Sequence, residues 1–251
     1  MIRKASAAAF TLIELLIVIT IIAVLAGIAL PAYNGVKERG DQTKDLSNAK
    51  QIAFALRQFA VDHNGSYPSK GPAATYDDPA ATTLATGAFS NDALWWLFPN
   101  GGEPGYLQNE QIFAVTGSAY SRTTPDNRLD ASSASTRTDT LRAGENSYAY
   151  VSGLTDTSDS TYPLLADGFV PGSVTYTANK SSPGGVWAAK KAIVVFCDSS
   201  GQIMKVDPTT STVQRTSRAS GGGKVNMFAD AGDNWIGTTT NPVLNPQPPS
   251  P

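Results

Sequence analysis

One apolar run dominates the hydrophobic pattern of the chain. Residues 10–33 read FTLIELLIVITIIAVLAGIALPAY and contain a single carboxylate, Glu14, and a single proline, Pro31. A helix of this length reaches roughly 36 Å, because each residue adds about 1.5 Å, and a hydrocarbon core is about 30 Å thick. The sequence therefore predicts a helix that can span a membrane.

The residues around this run predict its orientation and the need for a partner. Arg3 and Lys4 precede it, and positive residues favour the cytoplasmic side, so the rest of the chain is expected in the periplasm or outside the cell. Glu14 lies near the start of the run, where a carboxylate without a cation is costly. No Lys or Arg lies within two helical turns of Glu14 in the sequence. A cation must therefore come from outside the helix, and a newly exposed α-amino group would serve.

Beyond residue 33 the pattern becomes amphipathic, which predicts that the helix continues into solvent over residues 34–65. Apolar residues recur at spacings of three and four, as a helix with one buried face requires. These are Val36, Leu46, Ala49, Ile52, Ala53, Leu56, Phe59 and Ala60. The opposite, polar face is expected to carry Lys37, Glu38, Arg39, Asp41, Lys44, Asp45, Lys50 and Arg57. Residues 63–65, His-Asn-Gly, predict the end of the helix, because Asn and Gly accept a left-handed conformation.

The remaining chain predicts a globular domain over residues 66–237. Residues 90–98 read SNDALWWLF, which predicts a short helix capped by Ser90 with a buried aromatic cluster. Strand patterns appear at residues 147–151, 192–197 and 202–206, the last two forming a hairpin, and residues 225–229 suggest an edge strand. A small antiparallel sheet packed on the long helix gives an α+β fold. Residues 238–251 contain five prolines and predict an extended, disordered tail.

Composition narrows the classes of function. The chain has 251 residues, 41% hydrophobic and 16% charged, which suits one membrane helix and one domain. Its net charge is −2, which argues against nucleic-acid binding. His63 is the only histidine and is predicted at a helix end, so a Ser-His-Asp triad or a His-ligated zinc site is not expected, and the protein is not expected to be an enzyme. Cys197 is the only cysteine, so no intramolecular disulfide can form.

Two groups of acidic residues are candidate calcium ligands, because calcium prefers several oxygen ligands close together. The first group is Asp156, Asp159 and Asp167, and the second is Asp230 and Asp233. Neither has the regular spacing of a known calcium loop, so solvated turn residues are the favoured interpretation. Apart from this possible calcium, no cofactor is expected.

Residues 10–14, Phe-Thr-Leu-Ile-Glu, follow a short basic leader and open an apolar helix with Pro31 and Tyr33. This arrangement resembles the N-terminal segment of type IV pilins and of type II secretion pseudopilins, including the type G group. The resemblance implies that a prepilin peptidase removes the leader, residues 1–9, between Ala9 and Phe10, and that Phe10 is N-methylated. The residue before the cleavage point is usually glycine in this family, and here it is Ala9.

The resemblance also implies a role for each part of the first helix. Residues 10–33 are the transmembrane and assembly segment, and Glu14 pairs with the amino group of residue one in a neighbouring subunit. The helix near Pro31 unwinds on assembly. The expected partners are further copies or other pilins in a filament, the prepilin peptidase, an inner-membrane assembly platform and membrane lipid. The expected product is a pilus or pseudopilus subunit anchored in the inner membrane, with its domain in the periplasm or outside the cell.

Two alternatives remain open from the sequence. Residues 10–33 are also compatible with a plain membrane anchor or with a signal peptide cleaved after the small residues near Ala29. The exported domain would then be a bitopic or secreted protein that binds a ligand through its loops and does not form filaments.

Overall fold

The structure is a computed structural model, which describes residues 11–72, 83–85, 87–100, 105–121, 125–130, 137–217, 221–229, 236 and 241–249. The chain divides into two compact units, Met1–Thr43 and Lys44–Pro251. A helix of 51 residues, α1 (Leu12–Asp62), contributes to both units and is helical through Pro31. The continuous helix expected from the apolar run and its amphipathic extension is therefore confirmed.

Helix α1 ends where the sequence predicts. Asn64 and Gly65 both have positive φ angles, of 53° and 80°, and the Gly65 amide donates to the carbonyl of Ala60 at 2.8 Å. This left-handed turn satisfies a carbonyl that would otherwise lack a partner at the helix end.

The second unit is built on a five-stranded antiparallel sheet. Its strands are β1 (Tyr148–Val151), β2 (Pro163–Asp167), β3 (Lys191–Phe196), β4 (Gly201–Lys205) and β7 (Val243–Leu244), in the order β4-β3-β2-β1-β7. A separate two-stranded ribbon pairs β5 (Gln214–Thr216) with β6 (Lys224–Asn226). Shorter elements are α2 (Ser90–Leu94) and two 3₁₀ turns, Trp95–Leu97 and Glu110–Phe113.

The core lies between the C-terminal part of α1 and the sheet. Ile52, Leu56 and Phe59 are buried with the side chains of β1, β2 and β3 in one hydrophobic cluster. Burying side chains of this size contributes about 1.5–3 kcal/mol each. The predicted α+β fold, a long helix packed on a small antiparallel sheet, is confirmed.

Three details of the sequence-based fold are wrong. Val243–Leu244 pairs with β1, so the tail is not disordered over the described residues 241–249. The strand predicted near residue 225 joins the β5–β6 ribbon and not the edge of the main sheet. Ser90 does not cap α2: it is the first helical residue, and its hydroxyl donates to the carbonyl of Tyr148 at 2.7 Å.

Candidate functional site

The apolar part of α1 is the first candidate site, and it is exposed along its length. Within unit Met1–Thr43, Leu12 is 81% exposed and Ile28 70% exposed, and all the large apolar side chains from Leu12 to Leu30 that the structure describes are exposed. An 18-residue window of this helix has a mean hydropathy of 2.9, which is apolar enough to cross a membrane. An apolar surface of this size requires lipid or other protein around it.

Glu14 lies at the start of this helix and closes a reciprocal cap with Thr11. The Thr11 amide and hydroxyl donate to Glu14 Oε2 at 2.9 and 2.7 Å, and the Glu14 amide donates to Thr11 Oγ1 at 3.3 Å. This Thr-x-x-Glu arrangement is a capping box, which the sequence analysis missed although the spacing was visible. None of the ion pairs among the described residues involves Glu14. The cap orients the carboxylate but leaves its charge uncompensated.

The other residues predicted for processing and assembly are placed only in part. Ala9 and Phe10 lie outside the described residues. Pro31 lies inside the continuous helix, and its unwinding on assembly stays a prediction.

The first group of calcium candidates is not brought together as the sequence suggested. Asp156 and Asp159 belong to the loop between β1 and β2, where Asp159 Oδ1 accepts from the amide and hydroxyl of Thr161. Asp167 ends β2 and is buried, and its Oδ2 accepts from Trp187 Nε1 at 2.9 Å and the Ile193 amide at 2.8 Å. Asp230 and Asp233 lie outside the described residues.

Asp167 instead contacts Asp45, which was expected on the polar face of α1 but is only 3% exposed. The Tyr148 hydroxyl donates to Asp45 Oδ1. Burial raises the pKa of Asp167 to about 6, although hydrogen bonds from Ile193 and Trp187 favour its ionised form. Burial, followed by the charge of Asp167, raises the pKa of Asp45 well above its usual value.

The two carboxyl groups of this pair share a proton. Asp45 Oδ2 and Asp167 Oδ1 have no other partner among the described residues, and no ion pair there involves either group. Two ionised carboxylates in contact without a cation repel each other strongly, so one of them retains its proton. The pair is a structural link between α1 and β2.

A different acidic cluster lies beside the strand β1. One carboxylate oxygen from each of Glu110, Asp126 and Glu145 lies within 4.8 Å of the others. Arg142 Nη2 is 2.6 Å from Asp126 Oδ2 and 3.2 Å from Glu145 Oε1. Burial raises the pKa of Glu110 to about 7. The sequence analysis missed this cluster, because its members are spread over 36 residues of irregular chain and no local spacing connects them.

The two residues that bear on enzymatic chemistry have structural surroundings. The His63 ring stacks on Phe59 with centroids 3.8 Å apart, and its Nδ1 lies 2.8 Å from the Phe59 carbonyl oxygen. Cys197 is buried directly after β3, and burial raises the pKa of its thiol to about 12. Neither arrangement provides an activated nucleophile.

Comparison with known proteins finds similarity at the N-terminus. A family model described as "Prokaryotic N-terminal methylation motif" matches residues 4–30. A type II secretion system core protein G from Pectobacterium carotovorum is 40% identical over 60 residues, which are 24% of this chain and 38% of that protein. The same protein from Aeromonas hydrophila is 36% identical over 67 residues, 27% of this chain and 46% of that protein.

A pilin shows the same pattern of similarity. A type IV major pilin protein from Neisseria gonorrhoeae is 39% identical over 64 residues, 26% of this chain and 29% of that protein. The matches thus span less than half the length of these relatives, and no solved structure matches the chain. On the strength of its N-terminal quarter and its long helix on an antiparallel sheet, the protein fits the family of pilins and pseudopilins.

Proposed function

We propose that the protein is a structural subunit of a type IV pilus-like filament or of a type II secretion pseudopilus. Its precursor is cleaved between Ala9 and Phe10 by a prepilin peptidase, and Phe10 is N-methylated. The mature chain is anchored in the inner membrane by residues 10–33, with its domain in the periplasm or outside. Subunits then leave the membrane through an assembly platform and pack through α1 into a filament.

The observation that supports this proposal best is the state of Glu14. Its carboxylate lies at the start of an exposed apolar helix, held by Thr11 alone and without a cation among the described residues. A carboxylate inside a membrane costs about 2.5–3.5 kcal/mol at the centre of a span and normally has a partner. The α-amino group of a neighbouring subunit's Phe10 would neutralise this charge. Assembly would therefore relieve the cost that the isolated subunit bears.

Cleavage is tested by mass spectrometry of the N-terminus of the protein from cells that contain a prepilin peptidase. The proposal expects a mature chain that begins at methylated Phe10, and a peptidase-deficient strain that retains Met1. A chain that begins at Met1 in both strains, or at Leu30, would overturn it.

Assembly is tested by substitution of Glu14. Glu14→Ala should insert into the membrane at the wild-type level but give at least tenfold less sheared filament, because the intersubunit charge pair is lost. Thr11→Ala is the matched control: it removes the cap contacts of Glu14 and leaves its charge, at a cost of about 0.5–2 kcal/mol to the helix end. Filament assembly by Glu14→Ala at the wild-type level would contradict the proposed pairing.

A further inference from the structure

The acidic cluster beside β1 has the geometry of a site for a hard divalent cation. One oxygen from each of Glu110, Asp126 and Glu145 lies within 4.8 Å of the others. Calcium binds oxygen ligands at about 2.3–2.6 Å, so two ligands on opposite sides of one ion are about 5 Å apart. All three oxygens can therefore contact a single ion without movement of the backbone.

Glu110 provides an independent observation that points to a ligand. It is completely buried, and its Oε1 accepts from the Leu141 amide, but its Oε2 has no hydrogen-bond partner among the described residues. A buried carboxylate oxygen without a partner is costly, because its hydration is lost and nothing replaces it. Glu110 is held in the cluster by its backbone as well, since its amide donates to Asn127 Oδ1 at 2.9 Å.

The charges of the cluster leave room for a divalent ion. Three ionised carboxylates meet one cation, Arg142, which contacts Asp126 and Glu145 but forms no ion pair with Glu110. The net charge of this group is therefore −2 when all three carboxylates are ionised. A divalent cation would bring it to zero, and Glu110 would gain the partner that it lacks.

The ligand atoms select the class of metal. The cluster offers carboxylate oxygens and no imidazole or thiolate, which favours calcium or magnesium over zinc or copper. Calcium accepts an irregular shell of six to eight oxygens and completes it with water, whereas magnesium requires a near-ideal octahedron. Asp126 is exposed and Glu110 is buried, so one side of the cluster is open to water and the other is dry.

We propose that Glu110, Asp126 and Glu145 bind a calcium ion. The ion would join the 3₁₀ turn Glu110–Phe113, the loop at Asp126 and the segment that leads into β1, three parts of the chain that meet at the edge of the core. It would stabilise the irregular region of the domain, where few regular backbone hydrogen bonds are available. This inference does not depend on filament assembly.

The test uses the full-length protein in detergent, stripped with a chelator and titrated with calcium chloride or magnesium chloride. Isothermal titration calorimetry should show one calcium per chain that is lost or weakened at least tenfold in Glu110→Gln. The thermal midpoint should rise by roughly 5–10 °C at a calcium concentration one hundred times the Kd. Glu110→Gln keeps an acceptor for the Leu141 amide, so the apo variant is expected to fold.

The controls separate this cluster from other acidic sites. Glu38→Gln makes the same change on α1 and should bind calcium as the wild type does. Asp159→Asn and Asp233→Asn test the two groups suggested by the sequence and should also leave this binding intact. Glu145→Gln provides a second variant should Glu110→Gln prove unstable, and it should weaken calcium binding as well.

Three results would overturn the proposal. The first is a wild-type protein that binds no calcium in the millimolar range, in which case Glu110 is satisfied by a proton. The second is calcium binding that survives both Glu110→Gln and Glu145→Gln. The third is loss of all calcium binding in Asp159→Asn or Asp233→Asn, which would place the ion elsewhere.

Discussion

The buried pair Asp45 and Asp167 makes the stability of the domain depend on pH, and Asp167→Asn tests this. Asparagine has the shape of aspartate, so its oxygen can accept from Trp187 and Ile193, which now donate to Asp167 Oδ2. Its amide can donate to Asp45 Oδ2 in place of the shared proton. The variant keeps the hydrogen bonds and removes one charge that must be neutralised in the core.

The sign of the effect follows from the raised pKa of each group. The folded state holds protons that the unfolded state releases, so the stability is fully present below the unfolded pKa and is lost as pH rises through the folded pKa. For Asp167 these values are 3.8 and about 6, which corresponds to about 3 kcal/mol. The pKa of Asp45 is raised well above its ordinary value, so its contribution continues to fall at higher pH.

The measured quantity is the difference in the free energy of unfolding between Asp167→Asn and the wild type. Urea unfolding in detergent from about pH 4 to pH 7, followed by tryptophan fluorescence, gives this difference at each pH. It should shift by about 3 kcal/mol in favour of the variant over this range. Other carboxylates titrate equally in both proteins and cancel.

Two controls define the result. Asp207→Asn alters an exposed carboxylate whose pKa is lowered by the amides of Thr210 and Thr209, so it should leave the slope above pH 5 unchanged. Asp167→Leu removes the acceptor of Trp187 and Ile193 and should be destabilised at every pH. A difference between Asp167→Asn and the wild type that stays constant with pH would refute the shared proton.

Two further predictions concern backbone and thiol. Gly184→Ala should cost more than about 2 kcal/mol and exceed the cost of Gly117→Ala in urea unfolding: both glycines have φ +82°, but a Cβ at Gly184 would lie 2.5 Å from the Val170 nitrogen, whereas Gly117 has open space. Equal costs would contradict this reasoning. Cys197, whose pKa burial raises to about 12, should resist iodoacetamide at mildly alkaline pH in the folded protein and react fully in urea, and rapid labelling of the native state would show that the thiol is accessible.

The long helix and the central strands were predictable because their signals are local. The apolar run and its amphipathic extension follow a helical period up to the left-handed turn at Asn64 and Gly65, and α1 has the same extent. The hairpin of β3 and β4 has an apolar first strand and a short turn, which also need no tertiary information. These elements carry most of the core.

The elements that the sequence did not reveal depend on distant partners. Strand β2 begins with Pro163 and is entirely buried, so it shows no alternation, and it is defined by its pairing with β1 and β3. Strand β7 is two residues in a proline-rich tail and exists because β1 offers a free edge. Composition alone favoured disorder there, which the hydrogen bonds to β1 overcome.

The acidic residues show the same limit more sharply. Asp45 has the sequence context of a solvent-exposed helix face, yet Tyr148 and Asp167 enclose it, and neither is near it in the sequence. Glu110 and Glu145 are likewise joined only by the fold. A carboxylate's environment is set by residues that pack on it, so its charge state cannot be obtained from its neighbours along the chain.

Helix α1 thus carries two carboxylates whose charges are compensated in different ways. Asp45 obtains its partners within its own chain, from the Tyr148 hydroxyl and a proton shared with Asp167, and this contact joins the helix to the sheet before any assembly takes place. Glu14 obtains only a cap from Thr11 and keeps its charge among exposed apolar side chains. The proposed filament contact completes Glu14 alone, so Glu14→Ala should impair assembly without loss of domain stability, whereas Asp167→Asn should change domain stability without loss of assembly.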